Sequence, residues 1–192
     1  MASAPRSDHT HVLLLRGINV GGHAKVPMAD LRQIATAAGA LEVTTHLNSG
    51  NVLFHVDRQP GAAADADAWD IAYGVESALE EELGLTVTVI PASRADLDTA
   101  LALHAQLAFA GGEGKLTHLV LLAEPADPEQ ADALEAFDAG DDRCAVTGRF
   151  VWVRYANSSQ ASKLTLDRIE RTLATQATAR NLLTIRSLAA VG

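Results

Sequence analysis

The feature that most constrains this chain is the order of its apolar runs and helical stripes: strand, helix, strand, strand, helix, strand, an order that is then nearly repeated. In the first pass, His11 to Leu15 is an apolar run ending at a glycine-rich stretch, Arg16 to Gly22, as a buried strand entering a loop does. Pro27 suits the first helical position, Met28, Leu31, Ile34, Ala35 and Ala38 share one helical face, and Gly39 supplies a stop. Leu41 to Leu47 and Val52 to Val56 predict two antiparallel strands about a tight turn, Asn48 to Asn51, with Gly50 at positive φ. Asp57 to Ala68 reads as a linker, after which Ile71, Val75, Ala78, Leu79 and Leu83 mark a second helix closed by Gly84. Thr86 to Ile90 is the expected fourth strand.

This is the order of a split βαβ, or ferredoxin-like, unit, in which two helices cover one face of an antiparallel sheet. The second pass begins after a bridging helix that Ser93 and Asp96 open as a capping box and that fades before Gly111, Gly112 and Gly114. Leu116 to Ala123 predicts a strand, Asp127 with Pro128 and Gln130 a helix start, and Cys144 to Thr147 with Phe150 to Tyr155 a hairpin about Gly148 and Arg149. Leu166, Ile169 and Leu173 mark another helix, whereas Ala179 to Ala190 reads as helical rather than extended. The expected fold is therefore α/β (α+β): two ferredoxin-like halves packed together, the second incomplete and ending in a helix. The divisions are a loose tail at 1–10, a first half at 11–91, a connector helix and glycine-rich loop at 92–114, and a related second half at 115–192.

Composition narrows the function classes. A chain of 192 residues, 48% of them hydrophobic, can bury a substantial core. Its formal charge of −9 opposes generic binding to nucleic acid or acidic lipid and leaves room only for a local anion site. Cys144 is the only cysteine, which excludes an intramolecular disulfide and a multi-cysteine zinc site and fits a reducing cytoplasm. The first ten residues lack the apolar run of a signal peptide, and no stretch of apolar residues is long enough for a membrane span. The seven histidines form no compact ligand set, so no intrinsic metal is expected.

In a split βαβ unit the first and second strands run the same way, so the loop after the first and the turn after the second leave one edge of the sheet. That edge would gather Arg16, Gly17, Asn19, Gly21, Gly22 and Lys25 beside Asn48, Ser49, Gly50 and Asn51. Glycines let backbone N–H groups approach an anion, Arg16 offers a forked donor, Lys25 a point charge, and the asparagines both donors and acceptors. A phosphate or carboxylate would suit such a cluster. The alternative for each residue is structural: glycines that only turn the chain, Arg16 neutralising a carboxylate, and Asn-Ser-Gly-Asn as an ordinary turn. Gly17 to Gly22 imitates the start of a phosphate loop, but His23 and Ala24 replace its Lys and Ser/Thr, and no G-x-G-x-x-G is present. No cofactor is implied. A second polar group, Ser158, Ser159, Ser162, Lys163 and Thr165, precedes a helix, where capping competes with anion binding, and Arg180 with Asn181 stands near the final helix.

The segments LLLRGINVGGHAKVPMADLR, LNSGNVLF, GRFVWVRY, SKLT and TARN together resemble the bacterial family catalogued as domain of unknown function 1697. The resemblance spans nearly the whole chain and implies a cytoplasmic α/β protein of ferredoxin-like organisation, with no reaction, substrate or cofactor attached. The motif positions it carries over are Arg16, Gly17, Asn19, Gly21, Gly22, Lys25, Ser49, Gly50, Asn51, Ser162, Lys163, Arg180 and Asn181. Leu182 stands where sequences of this type usually have Trp, which would remove an aromatic contact. Two functional classes follow: a small-molecule binding protein, with or without catalysis, that holds an anionic or nucleotide-like ligand at the 16–25 and 48–51 edge, or a non-catalytic module that docks a protein or a second copy there.

Overall fold

The computed structural model describes residues 9–20 and 24–191. The chain divides into two compact units, Met1–Leu97 with Leu188–Gly192, and Asp98–Ser187. In the first, β1 (His11–Leu15) leads through α1 (Met28–Ala37) to a hairpin of β2 (Leu41–Thr45) and β3 (Asn51–His55), then α2 (Ala62–Leu83) and β4 (Val89–Ser93). The sheet order is β2-β3-β1-β4 with every neighbouring pair antiparallel, so β1 and β2 are parallel in direction. Leu13 and Leu15 of β1 and Val52 and Phe54 of β3 share a buried cluster with Leu31, Ile34 and Ala35 of α1 and Ile71, Ala72, Val75 and Leu79 of α2. The alternation of strand residues meeting helical stripes is what makes these runs amphipathic.

α3 (Arg94–Gln106) carries the chain onward and opens as the sequence predicts. The Ser93 amide donates to Asp96 Oδ2 at 2.9 Å, and the Asp96 amide donates to Ser93 Oγ at 3.1 Å, a reciprocal capping box. The second unit repeats the path with β5 (Thr117–Leu122), α4 (Pro128–Glu135), β6 (Arg143–Thr147), β7 (Phe150–Arg154), α5 (Leu166–Leu173) and β8 (Ala177–Asn181), followed by α6 (Leu182–Ala190). Its sheet order, β6-β7-β5-β8, matches that of the first strand for strand. Asp127 caps α4 by accepting from the Glu129 and Gln130 amides, and Thr165 caps α5 by accepting from the Arg168 amide.

Four sequence expectations are corrected. The second half does end in a helix, but it is not incomplete: Ala177–Asn181 is a fourth strand, paired along β5 from Leu122↔Ala177 to His118↔Asn181. Alanine and arginine favour helix in isolation, yet β5 is a central strand whose second edge needs a hydrogen-bonding partner, and that pairing outweighs propensity. The stretch 57–68, which reads as a linker in sequence, is helical from Ala62, because Ala64 and Ala68 are buried on the face that continues through Ile71, Ala72 and Val75. The fourth strand of the first half lies at Val89–Ser93 rather than Thr86 to Ile90. Pro91 is tolerated there because β4 is an edge strand with one ladder partner. Of the tail, residues 1–8 lie outside the described residues, and His9 is not loose: it is buried, Nε2 donates to the Glu42 carbonyl at 2.9 Å, and its ring stacks on His55 at 5.5 Å.

Within the second unit, His104 of α3 is buried with its ring 4.6 Å from that of Trp152, whose Nε1 donates to the Ala100 carbonyl at 3.0 Å. Burial, with the positive charge of Arg186 added, lowers the His104 pKa, and burial lowers that of His118 against the opposing hydrogen bond to the Lys115 carbonyl. An unfolded chain takes up protons at these rings near pH ~6.5 while the folded one stays neutral further down. Below that pH the unfolded state therefore binds more protons, so this contribution to stability is complete above about pH 6.5 and is lost as pH falls. The melting midpoint should drop between neutral and mildly acidic pH, and His104→Leu should flatten the drop. An unchanged profile in that variant would remove His104 as a cause.

Candidate functional site

Of the connections within the two halves, the one after the first strand differs most in length. It spans twelve residues between β1 and α1 and five between β5 and α4. Both begin alike: the Leu15 amide donates to the Gly50 carbonyl at 2.9 Å, and the Leu122 amide donates to the Arg149 carbonyl at 2.9 Å. In the second half the short loop is then sealed by one backbone bond, from the Ala126 amide to the Gly148 carbonyl at 3.0 Å. The first half instead accommodates a longer excursion, and connections that exceed what the topology requires are where function concentrates.

Asn19 organises that excursion. Its Nδ2 donates to the Val26 carbonyl and to the Asn48 carbonyl, each at 2.9 Å, and its Oδ1 accepts from the Val26 amide at 3.0 Å. Its own amide donates to the Ala24 carbonyl at 3.1 Å, and its φ of 55° is a left-handed conformation that asparagine adopts more readily than most residues. One side chain thus closes the loop on itself and ties it to the hairpin. The placement of both segments at one end of the sheet follows from β1 and β2 running the same way.

Gly50 allows the hairpin to lie directly on the base of the loop. Its φ is 77°, and a Cβ there would stand 2.8 Å from Leu15 Cβ and from Ile18 Cγ1. Asn51 is fully buried, with Nδ2 donating to the His46 carbonyl at 2.8 Å and to Ser49 Oγ at 3.2 Å. Ser49, Gly50 and Asn51 therefore build the turn. Beside it opens a pocket of about 430 Å³ lined by Asn19, Lys25, Val26, Pro27, Met28 and Asn48. Lys25 is exposed, and α1 starts at the pocket wall with Pro27 as its cap and no side-chain hydrogen bond to its first amides.

Of the residues singled out in the sequence, the fold brings Asn19, Lys25 and Asn48 to this pocket. Arg16 sits half-buried at the end of β1, its amide donating to the Thr88 carbonyl at 2.8 Å, and Gly17 is exposed at a φ of 68°. Gly21 and Gly22 lie outside the described residues. Lys163, Arg180 and Asn181 belong to the second unit. Lys163 is exposed in the loop before α5, where its carbonyl accepts from Arg168 Nε at 3.0 Å, and neighbouring Ser162 donates to Asp142 while accepting from the Leu164 amide. Arg180 is a strand residue: it is buried in β8, Nη1 donates to the Ala179 carbonyl at 2.8 Å and to Thr178 Oγ1 at 3.2 Å, and desolvation pushes its pKa down to about 10. Asn181 accepts from the Thr184 amide at 2.9 Å and so caps α6.

Sequence reasoning did not single out Val26, Pro27 and Met28 as site residues. The uncapped helix start at Pro27 was the one available signal, since a proline there leaves the first turn without a side-chain acceptor. Among the described residues no group of three His, Cys, Asp or Glu side chains is arranged to hold a metal ion, and no helix is long and apolar enough to cross a membrane.

A solved structure of a conserved bacterial protein from Streptococcus pneumoniae superimposes with a TM-score of 0.68 at 22% identity, over 95% of this chain and 98% of that one. At that identity the likeness shows the fold alone. A search of the curated proteins finds no match to the chain. The sequence model of a family described as "protein of unknown function (DUF1697)" matches residues 9–152.

Proposed function

Because the chain belongs to the DUF1697 family, whose description names no activity, we propose its function from its own geometry: it binds a small anionic ligand in the pocket between the loop after β1 and the β2-β3 turn. The observation that carries this reading is the pocket itself, built by a connection the second half lacks and lined by Lys25. Its volume of about 430 Å³ falls within the range of small-molecule sites. Lys25 supplies the charge, α1 begins at the pocket wall with no side chain bonded to its first amides, and the Asn19 clasp holds both in place before a ligand arrives. Rigidity set in advance lowers the entropic cost of binding. A formal charge of −9 over the whole chain makes the attraction local, so affinity should weaken as salt screens Lys25.

The test is a thermal-shift series with inorganic phosphate, sugar phosphates and nucleotides, followed by calorimetry on any probe that raises the midpoint with concentration. Lys25→Ala should weaken binding about tenfold, or roughly 1.4 kcal/mol, with little change in the midpoint of the free protein. Arg16→Ala, at the end of β1 and outside the described lining, should weaken it less. Equal affinity in wild type and Lys25→Ala would place any binding elsewhere.

A further inference from the structure

Resting on the anion site at Lys25, we infer that the ligand is amphiphilic: a single compact anionic head, such as a phosphomonoester or carboxylate, joined to an apolar or aromatic body. Three observations lead there. A pocket of about 430 Å³ is several times larger than a bare inorganic anion, so a head group alone would leave most of it to water. Among the described lining residues Lys25 is the one cation, which balances one head group but not the charge of a triphosphate, and the chain's −9 adds repulsion against polyanions. The other lining residues include exposed Pro27 and half-buried Met28, which offer contact to hydrocarbon or an aromatic ring rather than further charge.

Two exposed apolar residues adjoin lining residues in sequence. Val20 follows Asn19 and Leu47 precedes Asn48, so the two flank the hydrogen bond that joins loop to hairpin, and they are 62% and 55% exposed. Leu47 is unfavourable on both counts that the free protein feels: it shows an apolar side chain to water, and it holds a φ of 59°, where asparagine or glycine would sit with less strain. A residue that costs stability in the free fold and directly precedes a pocket-lining residue is accounted for if it contacts what the pocket holds. Leu47 is thereby assigned as a specificity-determining residue for the apolar body.

The experiment compares phenyl phosphate, inorganic phosphate, ATP and benzyl alcohol by calorimetry on the full chain, in wild type, Lys25→Ala and Leu47→Asn. Phenyl phosphate should bind at least tenfold more tightly than phosphate or ATP, and benzyl alcohol should bind least. Leu47→Asn should cut the advantage of phenyl phosphate over phosphate to under threefold while the melting midpoint of the free protein holds or rises, which excludes a folding defect as the cause. Equal affinity for phosphate and phenyl phosphate, or tighter binding of ATP, overturns the amphiphile and leaves the anion site standing. Binding of no probe, or binding indifferent to Lys25→Ala, overturns the anion site and this inference with it.

Discussion

Gly50→Ala should lower stability by roughly 2–5 kcal/mol, the sum of about 1–2 kcal/mol for a β-carbon at positive φ and about 1–3 for forcing a methyl into a packed contact. The two atoms it would meet at 2.8 Å cannot swing aside: Leu15 Cβ is fixed to the central strand, and Ile18 is fully buried. For a chain of this size the melting midpoint should fall by roughly 4–20 °C. Gly17 provides the internal control, since its φ is also positive, at 68°, but an added Cβ meets nothing within 4 Å. Gly17→Ala should therefore cost only the conformational share, about 1 kcal/mol. Equal losses in the two variants would show that the hairpin does not press on the loop base.

Removing the Asn19 clasp should have a comparable effect on the fold and a larger one on binding. Asn19→Ala deletes three hydrogen bonds and leaves the amide and carbonyl of Val26, a residue only 2% exposed, without their partner. A buried polar group left unsatisfied costs about 1–3 kcal/mol, so a loss of roughly 2–4 kcal/mol is expected, concentrated in the loop. Hydrogen exchange at the Val26 amide should accelerate well beyond that of the β1 amides, and the anion probes should lose measurable affinity because their site is no longer preformed. Asn19→Asp keeps the acceptor, loses both donor bonds and adds a negative charge beside Lys25. It should be intermediate in stability and as poor in binding. A wild-type midpoint and wild-type exchange at Val26 in Asn19→Ala would overturn the role assigned to this side chain.

The two cases also show how legible the site was. The sequence places Asn19, Lys25 and Asn48 on one edge through topology alone, and the fold brings these three to one pocket. It does not reveal that Asn19 spends its amide on the protein's own backbone, because an asparagine in a glycine-rich loop has the same composition whether it binds a ligand or closes the loop. Arg180 and Asn181 illustrate the same limit: next to a helix start they suggest a surface pair and a cap, and only pairing with β5 makes Arg180 a buried strand residue while leaving Asn181 as the cap.

What the chain determined by itself is local: the Ser93 and Asp96 capping box, Asp127 and Thr165 as caps, Gly50 at positive φ, and the strand and helix periods whose order dictates two ferredoxin-like units. Each of these is decided by residues within a few positions of one another, where covalent geometry and hydrogen-bond reach leave few choices. Tertiary structure decided the rest. Residues 177–181 became a strand because β5 had an unpaired edge, residues 62–68 joined a helix because their alanines fit against the sheet, and the loop after β1 acquired a pocket because one amide reached across to the Asn48 carbonyl. Those outcomes depend on backbone groups and surfaces distant in sequence, whose need for partners exceeds the small differences in local propensity.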